Sequence, residues 1–249
     1  MKLGAIVTVD DPNDATSLAN RARDLESAGF ESLWTVQAMG RGFMMPDPFV
    51  ALSVAAAVTT TCELGTAILQ LPLYNPTDVA LKSYTLSQVS GGRFILGVGA
   101  GSTESDYAVH HADFGTRFAE FRTKVSALKE TFRTGDASLP LNPWSSAKAG
   151  PPVFYGTWGR NVEVAAAEYD GWIASGMHRS PAECAEALAG YRSAGGKRAV
   201  VSTIQVGPAS DLVELRDRLN AYADAGFDDA VVILLPGAPS LDTVRALVA

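Results

Sequence analysis

Eight short apolar runs, each followed by a helical pattern, constrain this chain more than any other feature. They start at Leu3 (LGAIVTV), Ser32 (SLWTVQ), Glu63 (ELGTAILQL), Arg93 (RFILGVG), Pro152 (PVFYGT), Gly171 (GWIAS), Ala199 (AVVSTIQV) and Asp229 (DAVVILLP). The runs lack the strict alternation of a half-exposed strand. Near-continuous Val, Ile and Leu is what a strand covered on both faces needs.

The intervening segments are amphipathic. Phe114, Phe118, Phe121, Val125, Leu128 and Phe132 recur at intervals of three and four and form one stripe, and Leu212, Leu215, Leu219 and Tyr222 form another. Helix starts repeat one signal: DPND from Asp11, NPTD from Asn75 and SPAE from Ser180 each place a capping residue before proline, with an acid two residues beyond it. Asp47-Pro48 repeats its first half. SAGFESLW (27–34) and DAGFDDAVV (224–232) read as glycine-closed helix ends that open strands, and SGGRFILGV and YDGWIAS read similarly.

Eight strand–helix units in one series predict an α/β fold, a (β/α)8 barrel forming a single domain over residues 1–249. The alternative, a doubly wound open sheet, usually has fewer strands. With 249 residues, 47% hydrophobic, the chain can fill one such core. A net charge of −7 with no Lys/Arg-rich run argues against nucleic acid or an anionic membrane as the main partner. Cys62 and Cys184 lack metal or redox spacing, no His/Cys/Asp set has ligand spacing, and a reducing cytoplasm is expected. The apolar N-terminal run is cut short by Asp10 and Asp11, too early for a signal peptide, and no apolar stretch approaches a membrane span.

Two loops carry chemistry. In LGVGAGSTESDY (96–107), Gly97 and Gly99 match the start of a dinucleotide fingerprint, but position 102 is Ser and a polar loop follows instead of a helix. Gly99 to Ser102 instead belong at the C-terminal end of a barrel strand, where barrel active sites are built, unless the glycines only relieve crowding. FYGTWGRNVEVAAAEYDGW (154–172) runs strand, glycine-rich turn, helix. It reads either as a phosphate cradle using Gly156, Thr157, Gly159, Asn161 and a helix N-terminus beside Arg160, or as an ordinary tight loop capped by Asn161. His110 and His111, after the fourth run, and His178, after the sixth, are candidate proton donors or plain solvated residues. Glu104 and Asp106 read as a base, a cation-steering pair or wet acidic surface. Trp158 reads as a stacking platform or a cover on the mouth, and Trp34 and Phe43 as core or wall.

The blocks AGFESLW, LGTAILQLPLYNPTDVALKSYTLSQVSGGRFILGVGAG, PPVFYGTWGRN and YDGWIAS, in that order, resemble the bacterial luciferase-like oxidoreductases over essentially the whole chain. LSQVSGGRFILGVGAG is the most specific block, and the C-terminal third matches less distinctively. The resemblance implies a barrel that binds FMN or the deazaflavin coenzyme F420 at its mouth, and a homodimer packed through helices on the barrel's side. It places Ala67 and Ile68 as a bulged wall behind the coenzyme ring, with Gly99, Ala100, Gly101 and Ser102 alongside. Gly156, Thr157, Trp158 and Gly159 become the phosphate turn with Arg160 and Asn161 beside it, and Ser175, Gly176 and Met177 border the pocket.

Three departures bear on the reaction. Where many relatives carry an ionisable pair after the second strand, this chain has Gln37, which can hydrogen-bond but cannot exchange a proton near neutral pH. Where many carry an aromatic after GAG, it has Ser102 and Thr103. The long insertion that lids the luciferases proper is missing. The expectation is therefore hydride transfer between F420 and a small organic substrate, ahead of an FMN monooxygenase or a non-catalytic flavin-binding protein. The segment from Asp136 to Gly150 is a candidate for ordering on ligand binding.

Overall fold

Parallel pairing carries the eight apolar runs round a closed circle. In the computed structural model, which describes residues 1–134 and 141–248, the strands are β1 (Lys2–Ile6), β2 (Ser32–Thr35), β3 (Glu63–Thr66), β4 (Leu69–Gln70), β5 (Phe94–Gly99), β6 (Val153–Gly156), β7 (Gly171–Ser175), β8 (Arg198–Val206) and β9 (Asp229–Leu234). Their order is β3-β2-β1-β9-β8-β7-β6-β5-β4, and the β3–β5 pairing closes the ring. The third run is divided. β3 stops at Thr66, a cis peptide joins Ala67 to Ile68, and β4 resumes beyond it. β3 pairs with the first half of β5 (Leu64 opposite Phe94) and β4 with the second (Leu69 opposite Val98), so nine segments fill eight positions. This is the expected barrel.

The helices are α1 (Ser17–Ser27), α2 (Pro48–Val58), α3 (Pro76–Val89), α4 (Glu104–Val109), α5 (Arg117–Thr134), α6 (Asn161–Glu168), α7 (Pro181–Ser193), α8 (Leu212–Ala225) and α9 (Leu241–Arg245). The cap-proline signal holds at three of four places. Asp47 accepts from the backbone of Phe49 and Val50, Asn75 from that of Thr77, and Ser180 and Glu183 form a reciprocal capping box. It fails at Asp11-Pro12, where the chain makes turns and α1 begins only at Ser17. The Ser17 hydroxyl there is committed to the backbone N–H groups of Asp10 and Asp11. Gly226 closes α8 at φ +98°, and Phe227 packs back beneath it, buried. Gly171 departs from that pattern. It is the first residue of β7, and a Cβ there would meet the Phe154 ring at 2.7 Å, so it serves close packing and closes no helix.

Two apolar layers hold the barrel. Ile6, Trp34, Ile95, Phe154, Ile173, Val200 and Val231 point inward from seven strands, and Ala67 joins them. Trp34 is wholly buried, and a Cβ at Gly65 would come within 2.3 Å of its ring, so the glycine makes room for the indole. The outer faces of the strands pack against the helices through a larger cluster that includes Leu25, Leu52, Tyr84, Leu128, Leu188 and Leu219. From the predicted α5 stripe, Phe121, Val125, Leu128 and Phe132 are buried. Phe114 instead caps the Tyr107 ring edge-on, and Phe118 faces the cavity described below. Among the described residues no helix is long and apolar enough to cross a membrane. Residues 135–140, which include the first part of the Asp136–Gly150 segment expected to order with ligand, lie outside the described residues. From Leu141 onward that segment leads to the start of β6, at the N-terminal face, with Ala147 buried and Ser146 donating to Gln88.

At the same face the strand starts share one ionic cluster. Arg198 donates to both carboxylate oxygens of Asp229, at 2.7 and 2.8 Å, and to both of Glu63, at 2.8 and 2.6 Å. The Asp229 side chain has no solvent exposure. Removing the cation would leave a buried carboxylate without its partner, which is far costlier than losing a surface pair. Arg198→Met should therefore lower stability by about 3 kcal/mol in urea unfolding, whereas Lys82→Met, at an exposed pair with Asp78, should cost under about 1 kcal/mol.

Candidate functional site

At the opposite end, the loops leaving the C-terminal ends of the strands surround a cavity of about 1500 Å³. Its floor is apolar, formed by Val36, Ala67, Ile68, Ile173 and Ile233. Its walls come from five groups: Thr8 to Asp10 after β1, the 37–46 loop after β2, Ala100 to Thr103 after β5, the turn after β6, and the ends of β7, β8 and β9. A smaller cavity of about 330 Å³ lies beneath the 37–46 loop, between it and Tyr74, and shares Gln37, Ala38 and residues 43–46 with the first.

A buried carboxylate holds that loop in place. Asp106, on α4, accepts from the Met39 backbone N–H at 3.0 Å, from Arg41 Nε at 2.9 Å and from Gln70 Nε2 at 2.7 Å. Arg41 also donates a second time to the same carboxylate, making a forked pair. The Asp106 side chain is completely buried. Burial alone pushes its carboxyl up, but the bonds from Arg41, Gln70 and Met39 outweigh it and hold the group below the ordinary carboxylate value. Gln37 continues the network: its Oε1 accepts from the Gln70 backbone at 2.7 Å and its Nε2 donates to the Tyr74 hydroxyl at 3.0 Å. Gln70 Oε1 is buried without a hydrogen-bond partner beside Gly101. The acidic loop that reads as wet surface in sequence thus contains the most enclosed ionic contact at the mouth.

The three glycines of LGVGAG have separate roles. A Cβ at Gly97 would strike the Thr66 carbonyl oxygen at 1.9 Å, and one at Gly99 would meet the Gly156 carbonyl oxygen at 2.9 Å and Ile68 at 3.0 Å. Both relieve crowding between strands, and neither lines the cavity. Gly101 does line it, at φ +76°, a conformation that favours glycine.

At the turn after β6, Gly156, Thr157, Trp158 and Asn161 line the cavity, whereas Gly159 and Arg160 lie outside its lining. Asn161 is the first residue of α6 and not its cap; the cap position is Arg160, helical, with no side-chain bond to the helix. Unlike α2, α3 and α7, this helix start leaves N–H groups unsatisfied by a side chain. Trp158 already has ring partners within the protein: the Arg179 guanidinium lies 4.7 Å from its ring centre, and the tilted Trp172 ring is 6.0 Å away. Ser175, Met177 and His178 line the cavity beyond β7, but Gly176 packs on Ile204.

Of the three histidines, only His178 reaches the cavity. His110 ends α4 on the outside, with Nε2 3.3 Å from the Met39 sulfur, and His111 follows it at φ +53°. The sequence reading passed over Arg41 and Gln70, because the spacing to Asp106 (65 and 36 residues) leaves no local pattern. A polar Gln70 interrupting the apolar run ILQL is the one available signal. It also passed over Thr203, a β-branched residue at φ +64° on the cavity wall, placed there by an irregularity in β8 between Val201 and Ile204.

A model of the family described as luciferase-like monooxygenase matches residues 3–232. The chain belongs to this family. It is 34% identical over 141 residues to 4-hydroxyprotoasukamycin monooxygenase of Streptomyces nodosus subsp. asukaensis, covering 49% of this chain and 38% of that protein. It is 26% identical over 170 residues to a putative coenzyme F420-dependent oxidoreductase of Mycobacterium tuberculosis, covering 59% of this chain and 48% of the other. The matched segments thus span less than half of these relatives. The crystal structure of monooxygenase RslO1 from Streptomyces bottropensis superposes with a TM-score of 0.82 over 99% of this chain and 96% of that one, at 18% identity, a likeness of fold. The names of these relatives describe a monooxygenase and a putative F420-dependent oxidoreductase.

The Asp106 network makes a prediction. Asp106→Asn should lower stability by about 3 kcal/mol at pH 7. Because the folded-state carboxyl lies below its ordinary value of 3.8, its contribution is full above that pH and is lost as pH falls through the folded value. Urea unfolding should therefore show the gap between variant and parent narrowing below about pH 4.

Proposed function

We propose that this enzyme moves a hydride between a flavin-type coenzyme, F420 in preference to FMN, and an organic substrate. The observation that carries the reading is one cavity joining two different surfaces: Thr157 and Asn161 at a helix start that no side chain caps, and an apolar floor and wall of Ala67, Ile68, Ala100 and Gly101. The first suits a phosphate and the second a planar ring. These residues fit such a coenzyme, and Gln70 Oε1, buried and unpartnered beside Gly101, suits a ring N–H near the same wall. When bound, the coenzyme supplies or accepts the hydride. The chain's own residues bind and orient, and His178 is the cavity-lining group suited to exchange a proton with substrate.

Kinship with a putative F420-dependent oxidoreductase supports the coenzyme preference, as does the modest cover over the mouth, where Met44 is 93% exposed. A water-exposed site shelters an oxygen adduct poorly. The FMN-dependent monooxygenase reading is favoured by the 34% identity to 4-hydroxyprotoasukamycin monooxygenase. The proposal includes a cytoplasmic homodimer. Exposed Val50, Leu81 and Val89 on the neighbouring helices α2 and α3 support it.

Tryptophan fluorescence titrated separately with F420 and FMN tests the assignment. F420 should bind at micromolar concentration and FMN at least tenfold more weakly; the reverse order moves the reaction to the FMN reading, and binding of neither overturns both. With F420 bound, Asn161→Leu should raise its dissociation constant by about tenfold or more. His178→Gln should lower kcat by about 100-fold with coenzyme affinity unchanged.

A further inference from the structure

Four of the chain's five methionines are gathered at one place. Met44, Met45 and Met177 line the large cavity, Met39 lines the small one, and only Met1 lies elsewhere. Thirteen large apolar side chains are exposed among the described residues, and six of them, Val9, Phe43, Met44, Phe118, Met177 and Leu235, line the large cavity. Scattered exposed apolar residues need no explanation, but a ring of them around one opening marks a binding surface.

Charge is arranged to leave that ring uncontested. Each arginine lining the large cavity has a carboxylate of its own: Arg21 with Asp10 at 3.4 Å, Arg41 with buried Asp106, and Arg179 with Glu183 at 3.1 Å. Each guanidinium is thus partly neutralised by an acid, which weakens its pull on a substrate anion. An uncharged molecule meets, at the rim, the thioether, aromatic and aliphatic side chains named above.

Volume points the same way. Single-ligand pockets usually enclose about 300–1,000 Å³, and here a cavity of about 1500 Å³ has a neighbour of about 330 Å³ that shares Gln37, Ala38 and residues 43–46 with its lining. Space therefore remains for a second molecule of several rings after a coenzyme ring is seated on the Ala67–Gly101 wall. The smaller cavity beneath residues 37–46 can take a side arm, with Tyr74, Met39 and Pro48 around it. Unbranched methionines fit irregular apolar shapes without a fixed rotamer pattern.

We propose that the substrate is a bulky, uncharged, largely apolar molecule with a carbocyclic or aromatic body, gripped by the Phe43–Met45 loop and not recognised through a phosphate or carboxylate. This rests on the coenzyme reading above and narrows its substrate to a class larger than a small organic molecule.

The test uses N-phenyl-1-naphthylamine, a neutral apolar fluorophore, titrated into the full-length protein with and without saturating coenzyme. Micromolar binding that persists with coenzyme present, and that weakens at least tenfold in a Phe43→Ser/Met44→Ser double variant, supports the proposal. Both side chains are more than half exposed, so the variant should fold, and its coenzyme dissociation constant should stay within twofold. Millimolar glucose 6-phosphate should leave the probe bound. Displacement of the probe by coenzyme or by the sugar phosphate, or probe affinity indifferent to the double substitution, overturns the proposal. If neither coenzyme binds while the probe and the variant behave as stated, the coenzyme reading fails and the apolar ligand class stands.

Discussion

A carboxylate sealed from solvent must collect enough donors to replace water, and at Asp106 donors and acceptor come from three separate parts of the chain. Met39 and Arg41 arrive from the loop after β2, Gln70 from β4, and the carboxylate itself from α4. No element alone has a reason to adopt its place. Gln37, fixed through the Gln70 backbone and Tyr74, then stands in the wall between two cavities, and the 38–46 segment is held at its base while Phe43 and Met44 extend into solvent. The mouth owes its shape to this one anion.

The barrel itself was legible because its signals are local. Apolar runs read as covered strands, and Asp47, Asn75 and Ser180 start helices where the cap chemistry says they should. Where a second local demand intervened, the reading failed: Ser17 anchors the turn at Asp10 and Asp11, so the helix expected with Asp11 as its cap starts five residues later. The site was legible only in outline. Thr157, Trp158, Asn161, Ala67, Ile68, Gly101, Ser175 and His178 do face one cavity. Gly99, Gly159, Arg160, Gly176, His110 and His111 do not, since an adjacent position in sequence says nothing about which face of a strand end or turn a residue takes. Arg41 and Thr203 carried no readable sign, and Asp106 read only as a base, a cation-steering group or wet surface, because its role is set by contacts with distant segments.

The two ends of the barrel divide their work. At the N-terminal face, Arg198 gathers carboxylates from β3 and β9 and locks the starts of strands far apart in sequence. At the C-terminal face, every arginine lining the cavity is likewise matched with an acid, but the matching leaves apolar surface facing inward. The same pairing of guanidinium with carboxylate thus fastens the fold at one end and clears the binding surface of uncommitted charge at the other.

The clustering of thioethers has a chemical consequence beyond packing. Methionine sulfur is oxidised by peroxide to a polar sulfoxide, and four of the five such sulfurs sit at the two cavities, with Met44 almost fully open to solvent. Mild oxidant would therefore rewrite the rim before it reached the barrel, turning a greasy collar into a hydrated one while Trp34 and the strand interior stayed intact. Such a protein would keep its fold and lose its appetite for oily molecules.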